Sequence, residues 1–252
     1  YRRKIIYDYD DAIWIPVASE NNRMARYIKW FSKVKAICRM AWKVSAGNEY
    51  LADFARPHCK QVIVVPTVVD TAKTHNRLQE QNTAQPAIGW TGTFSTLKYL
   101  ELVTPVLQRL QQKIPFTFIV IANKDPQLPL PYYRYINWQA DTETADLLQM
   151  HIGLMPLFDG EIEKGKCGFK AIQYMALGIP AVVSPVGVNA SIVSEGENGF
   201  VCSSPEEWEA KLTLLLQDTA LRTRMGAAAR QRVEERYSVA ATRLLFSSLF
   251  ND

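Results

Sequence analysis

Short apolar runs alternate with longer segments of helical period along this chain. The runs predict strands near 3–8, 41–45, 61–65 (Gln-Val-Ile-Val-Val), 86–90, 116–121 (Phe-Thr-Phe-Ile-Val-Ile), 134–138, 152–156, 181–184 and 199–202. Between them the spacing predicts helices near 20–40, 48–56, 97–112, 142–149, 168–178, 188–194, 205–217, 219–236 and 238–249. Strands that are apolar on both faces and alternate with helices predict an α/β fold, with parallel sheets covered by helices. Polar, turn-forming residues dominate Asp70 to Pro86 and mark a seam. About 165 residues follow it and read as a complete α/β unit. The stretch before it supplies only three strands and two helices, too little for a stable domain of its own. It is therefore expected to be the C-terminal part of a larger α/β domain.

Positive charge concentrates at the start. Residues 1–45 hold ten Lys and Arg against four Asp and Glu, a net of +6, whereas the whole chain sums to +4. The remainder is thus slightly acidic, and nucleic-acid binding is not expected. In the helix predicted near 20–43, Trp30, Phe31, Val34, Ile37 and Cys38 fall on one side of the wheel. Lys29, Lys33, Arg39 and Lys43 fall on the other. That pattern fits a domain helix with a solvated basic face, and also a basic amphipathic helix resting on an anionic membrane surface.

Composition narrows the class further. The chain has 252 residues, 48% of them hydrophobic and 21% charged, which is ordinary globular usage and excludes a mainly disordered chain. Cys38, Cys59, Cys167 and Cys202 are widely spaced, without a metal-ligand pattern, and predict reduced thiols in a cytoplasmic protein. Ala171–Ser194 carries no charge, but its Gln, Asn, Ser, Pro and Gly residues argue against a membrane span.

The segment Gly160-Glu-Ile-Glu-Lys-Gly165-Lys166-Cys-Gly168-Phe-Lys170 follows a predicted buried strand and precedes a helix. It approaches a phosphate-binding P-loop, yet Cys167 stands where that loop needs Ser or Thr, and Glu161 and Glu163 would repel the phosphates. Its elements still suit an anion. Gly165 and Gly168 leave amides accessible at a helix start, and Lys166 and Lys170 share a face. These features predict a diphosphate or sugar-phosphate site; a plain strand–helix turn with solvated lysines is the alternative. Hydrolase chemistry finds no support, since no GxSxG elbow occurs and His58, His75 and His151 form no triad by spacing.

Lys166-Cys-Gly-Phe-Lys170-Ala-Ile-Gln173-Tyr-Met-Ala-Leu-Gly178-Ile-Pro180, running on to Gly187-Val-Asn189, resembles the signature of retaining GT-B glycosyltransferases, glycosyltransferase family 4 (the group 1 glycosyl transferases). Glu195-Gly-Glu-Asn-Gly-Phe200 is similar to the turn and strand that follow it. Ile88-Gly-Trp-Thr-Gly92-Thr93, with Lys98 downstream, is similar to the family's glycine loop. Ile5–Asp11 and Ser45-Ala-Gly-Asn48 resemble the end of its acceptor-side domain.

The resemblance implies two Rossmann-like domains, the first incomplete here. Residues 1–70 would be the acceptor-side part, 71–85 a linker, 86–236 the donor domain, and 237–252 a terminal helix crossing back. It implies a retaining hexosyltransferase that moves a sugar from a nucleotide-sugar, a UDP-sugar by family habit, to a glycan or lipid-linked acceptor without a metal or other cofactor. The protein would be cytoplasmic and peripheral on the inner membrane face.

Donor contacts are implied for Gly92, Thr93, Lys98, Trp138, Lys166, Gly168, Lys170, Gln173 and Asn189. Acceptor-side contacts are implied for Asp8, Asp10, Asp11 and Asn48, although the aspartates also suit turns and Asn48 a helix cap. Trp138 would flank the base or sit at a core rim. Many family members carry two glutamates eight positions apart, where this chain has Gly165 and Gln173. Gln173 can hydrogen-bond a ribose hydroxyl but brings no charge. Glu161 or Glu163 is left to supply the carboxylate facing the sugar, with Glu163 and Lys166 the catalytic candidates. The missing glutamate also raises a second possibility, a non-catalytic sugar-nucleotide-binding subunit of a polysaccharide assembly complex.

Overall fold

A computed structural model describes residues 4–16 and 32–251. The contacts divide the chain into two compact units. One comprises Tyr1–Thr67, Asp159–Cys167 and Thr242–Asp252; the other comprises Val68–Phe158 and Gly168–Ala241.

The first unit is built on a three-stranded parallel sheet of β1 (Ile6–Tyr9), β2 (Lys43–Ala46) and β3 (Val62–Val64), in that order. Helix α1 (Lys33–Met40) buries Val34 and Cys38 and leaves Lys33, Lys35 and Arg39 exposed. The earlier part of the expected basic helix, with Lys29, Trp30 and Phe31, lies outside the described residues. Helix α2 (Glu49–Ala55) buries Leu51, Ala52 and Ala55.

The second unit carries a six-stranded parallel sheet: β4 (Ala87–Gly92), β5 (Thr117–Ala122), β6 (Tyr133–Asn137), β7 (Ile152–Met155), β8 (Ala181–Val183) and β9 (Gly199–Val201). Their order in the sheet is β6-β5-β4-β7-β8-β9. Side chains alternate across a strand, and here both faces are buried. Ile88, Phe118, Val120, Ile152, Leu154 and Val182 enter one core, while Ile119, Ile121, Met155, Ala181 and Val183 enter the other. Each fully buried Val, Leu, Ile or Phe among them contributes about 1.5–3 kcal/mol.

Helix α3 (Thr104–Gln111) packs into the first of these cores. The helix after β7 (Phe169–Ala176) packs into the second. The helix expected near 97–112 is divided, because a 3₁₀ helix over Phe94–Leu102 precedes α3 and Pro105 restarts the chain in α3's first turn. Helix α4 covers Glu143–Leu147. A short helix that periodicity missed, α5 (Glu161–Lys164), is bracketed by Gly160 and Gly165. The helix after it, Phe169–Ala176, is α6, and α7 is Asn189–Ile192. Then come α8 (Pro205–Gln217), α9 (Thr219–Arg236) and α10 (Val239–Ser248).

Asp70 to Pro86, expected as a polar linker, is held against the second unit. Arg222 donates to Gln81 O and Thr83 O, Arg230 donates to Thr71 O and His75 O, and Gln79 Nε2 donates to Met150 O. Ordered strand order reverses at β4 and β7: β4, β5 and β6 proceed to one side, β7, β8 and β9 to the other. Open α/β sheets bind ligands at the carboxyl ends of the strands beside such a reversal.

Candidate active site

A cavity of about 330 Å³ opens at that reversal, wholly within the second unit. Thr91, Gly92 and Thr93 come from the end of β4, Asn123 from just past β5 and Trp138 from just past β6. Glu143 comes from α4, and Phe169, Lys170 and Gln173 from α6. Parallel strands lie about 4.8 Å apart, so Trp138, two strands from β4, stands roughly 10 Å along the cavity from Thr93. The length suits a nucleoside diphosphate lying across the strand ends.

The β4 end is shaped by Gly92 and Thr93. A side chain at Gly92 would meet the Trp90 ring 2.3 Å away and Thr96 Oγ1 at 2.7 Å. Thr93 caps the 3₁₀ helix, its backbone N–H donating to Thr96 Oγ1 at 3.0 Å. Asn123 Oδ1 accepts the Phe94 N–H at 2.7 Å, fixing that side chain at the rim.

Helix α6 supplies the opposite wall. Gly168 caps it with φ +72°, a left-handed conformation that glycine adopts without strain. Lys170 Nζ lies 5.9 Å from the centre of the Trp90 ring, which places a positive charge at the Gly92 end. Gln173 is only 2% exposed, lines the cavity, and its Nε2 has no hydrogen-bond partner among the described residues. A buried amide without a partner costs roughly 1–3 kcal/mol, so this donor is set to meet an acceptor on a ligand or a bound water.

At the far end, Trp138 is 41% exposed and its Nε1 donates to Glu143 Oε1 at 2.8 Å. The backbone N–H of Trp138 donates to Ala122 O, anchoring the residue to the edge of the sheet.

Gly92, Thr93, Trp138, Lys170 and Gln173 are thus brought together. Of the other expected donor residues in this unit, Lys98, Gly168 and Asn189 are not among those that line the cavity. Lys98 lines a separate, wider hollow with Leu97, Glu101 and Pro126. Asn189, 1% exposed, donates from Nδ2 to Ser184 O at 3.0 Å and braces its own loop. Gly168 acts as the cap and is not among the lining residues.

Lys166 and Glu163 belong to the first unit. The expectation that amides near Gly165 stand open is corrected there. Gly165 N–H donates to Ile162 O and Lys166 N–H to Glu163 O, because these residues close the last turn of α5. Glu163 is buried beside Gly160, where an added Cβ would stand 2.3 Å from Glu163 Oε2. Of its neighbours, Glu161 Oε2 accepts from Tyr50 Oη at 2.8 Å and Glu161 Oε1 from Lys164 Nζ at 2.7 Å. The Lys164 bond, then the Tyr50 bond, hold the Glu161 carboxyl below its usual range, and burial first, then the Glu161 bond, push the Tyr50 hydroxyl up to about 12.

The acceptor-side candidates lie in the same unit. Asp8 is the third residue of β1, opposite Ser45 of β2, and Asp8, Asp10 and Asp11 are exposed. Asn48 is 2% exposed. Its Oδ1 caps α2 through the Leu51 N–H at 2.9 Å, and its Nδ2 donates to Gly165 O and Lys166 O. Asn48 is therefore occupied as a cap and a loop brace. Cys167 Sγ donates to Asp10 O, and burial pushes this thiol up to about 12. All four cysteines are free and buried.

Sequence reasoning missed Thr91, Asn123, Glu143 and Phe169. Asn123, just past β5, was findable from its place after a strand of a parallel sheet. Glu143 carries no local motif and enters only because α4 follows β6.

Residues 134–232 match the family model described as glycosyl transferases group 1. D-inositol 3-phosphate glycosyltransferase of Corynebacterium glutamicum is 38% identical over 87 residues, which is 34% of this chain and 21% of that relative. Among solved structures, Anabaena HepE in complex with UDP and glucose is similar with a TM-score of 0.73 at 15% identity, covering 100% of this chain and 72% of that one. Sucrose-phosphate synthase of Thermosynechococcus elongatus gives 0.72 at 18% identity, covering 97% and 66%. TarM gives 0.75 at 12% identity, covering 99% and 50%. Identities this low speak for the fold alone. The chain spans about a fifth of the curated relative it matches and between half and three quarters of these solved chains. The matched segment holds Trp138, Glu143, Lys170 and Gln173 of the cavity, and it relates this chain to the group 1 glycosyltransferases.

Proposed function

We propose that this protein transfers a sugar from a nucleotide-sugar, a UDP-sugar, to a glycan or lipid-linked acceptor with retention of anomeric configuration, and that the cavity of the second unit binds the donor. The observation that carries this reading is that Lys170 and the buried Gln173, whose Nε2 has no hydrogen-bond partner among the described residues, stand along one wall of a cavity at the sheet's reversal point. Solved structures of the same fold with UDP, or with UDP-glucose, support the choice of nucleotide.

Lys170 and the first turn of α6 stabilise the diphosphate as negative charge builds on the leaving group. Gln173 Nε2 donates to a ribose oxygen. Retention follows if the acceptor hydroxyl attacks from the face the diphosphate leaves, its proton passing to a donor phosphate oxygen. No protein base and no metal is needed for that step. Lys166 is proposed as catalytic on the strength of the family resemblance, Glu163 as a carboxylate left to face the sugar where Gly165 and Gln173 replace the family's glutamates, and Asp8, Asp10 and Asp11 as acceptor contacts. Peripheral attachment to an anionic inner membrane face rests on the basic face of α1.

Calorimetric titration with UDP tests the donor site. Lys170→Ala is expected to weaken UDP binding by about 1.5–3 kcal/mol, as for a charge-assisted hydrogen bond. Unchanged affinity would refute the assigned cavity. Gln173, standing where the family's glutamate is expected, favours the second reading, a non-catalytic binding subunit. Release of UDP from UDP-sugars with acceptor lipid present supports the transferase; binding without turnover across donors and acceptors supports the subunit.

A further inference from the structure

The far end of the cavity is built differently from the Lys170 end. Its charged group is a carboxylate, Glu143, and one oxygen of that carboxylate is committed. Oε1 accepts the Trp138 indole N–H at 2.8 Å. The described residues supply no hydrogen-bond donor to Oε2. Trp138 is itself anchored by its backbone N–H to Ala122 O, so the indole holds the carboxylate in one orientation at the mouth of β6. Roughly 10 Å of strand spacing separates this end from Gly92 and Thr93. With the diphosphate at Lys170 and the ribose at Gln173, the base of a nucleotide reaches Trp138 and Glu143.

We infer that Glu143 is the residue that selects the base, accepting at its carboxylate the N3–H of uracil while Trp138 positions it. The inference rests on the donor-site reading above. The physical argument is one of matched and mismatched hydrogen bonds. An ionised carboxylate only accepts, and uracil presents an N–H at position 3. Cytosine, of nearly the same shape, presents a bare nitrogen lone pair there, and adenine presents one at N1. Either lone pair facing the carboxylate loses a charge-assisted hydrogen bond and adds repulsion. A site built to receive a donor rejects the analogue lacking it more strongly than an apolar pocket rejects a change of size.

Competition between UDP and CDP on the intact protein tests this, because the two ligands differ only at the base edge and share the ribose and diphosphate contacts. The wild-type protein is expected to prefer UDP by about tenfold or more. Glu143→Gln keeps an oxygen for the Trp138 N–H and offers an amide N–H to the base. In this variant the preference is expected to fall within about threefold or to reverse toward CDP, since Gln both donates and accepts. The ratio is read within one protein, so a change in its overall stability cancels; Glu143→Ala supplies a second reading and should likewise flatten the ratio. A UDP-to-CDP ratio that stays as in wild type in both variants overturns the role of Glu143 and leaves the donor site standing. A wild-type preference for CDP, ADP or GDP over UDP also overturns it. Failure of the wild-type protein to bind any of these nucleotides overturns the donor-site reading and this inference together.

Discussion

Single atoms decide much of the second unit's packing. A Cβ at Gly153, in β7, would stand 2.3 Å from the ring of Tyr174, a residue buried in α6. The Tyr174 hydroxyl accepts the Thr91 N–H at 2.9 Å and donates to Leu154 O at 3.3 Å, so the ring cannot turn aside without losing bonds at the end of β4. Gly153→Ala is therefore expected to destabilise the protein by about 1–3 kcal/mol, the usual range for overpacking a core. Denaturant titration checks it, and a midpoint equal to wild type would show that Tyr174 is freer than its hydrogen bonds imply. At the same scale, motif reading singled out residues that the fold gathers around one cavity. Gly92, Thr93, Lys170 and Gln173 were legible because a glycine loop and a helix start have local signatures. Glu143 was not, since nothing in its neighbours along the chain announces that α4 brings it to the end of β6.

At the scale of elements, Arg222 of α9 acts as a staple. It is fully buried, and its guanidinium donates to Leu215 O and Leu216 O at the end of α8 and to Gln81 O and Thr83 O of the segment before β4. Removing it leaves several buried carbonyls without donors. Arg222→Ala is expected to cost about 3 kcal/mol or more, at roughly 1–3 kcal/mol for each group left unsatisfied, and thermal melting reads the loss. Arg222→Lys, a single ammonium without the planar fork, should recover only part of it. A melting temperature within a degree of wild type for the Ala variant would mean that water replaces the guanidinium. Sequence alone read residues 70–86 as polar punctuation. Those residues are indeed polar, yet a polar segment can be held by main-chain carbonyls, and hydrophobicity records no trace of such bonds. The expected helix near 97–112 went astray for a similar reason. Its apolar spacing is continuous, but Pro105 lacks an N–H and breaks the ladder.

For the whole molecule, the half-buried imidazole of His151 ties stability to pH. His151 precedes β7, and its Nδ1 accepts the Ala87 N–H at 3.0 Å while its own backbone N–H donates to Ala87 O. Burial first, then the nearby Arg222 charge, lower its pKa from 6.5 to about 4. The folded state therefore keeps the ring neutral where the unfolded chain takes up a proton. The stabilisation is complete above pH 6.5 and is lost as pH falls from there toward 4. Melting temperature is expected to drop across that window, and to drop less in His151→Asn, whose Oδ1 can still accept the Ala87 N–H but does not titrate. Parallel pH profiles for the two proteins would remove His151 from the account.

Alternation of apolar runs was enough to specify the α/β class, the succession of strands and the parallel sheets, because side-chain period and burial on two faces are written locally. The glycine loop and the Lys170–Gln173 helix start were also local, being short spans whose backbone geometry depends on the residues within them. Strand order, the reversal between β4 and β7, the meeting of Trp138 with Glu143 and the separation of Lys98 from the cavity were decided by the tertiary structure alone. Each depends on which strands lie side by side, and that is a property of packing between residues far apart in the chain.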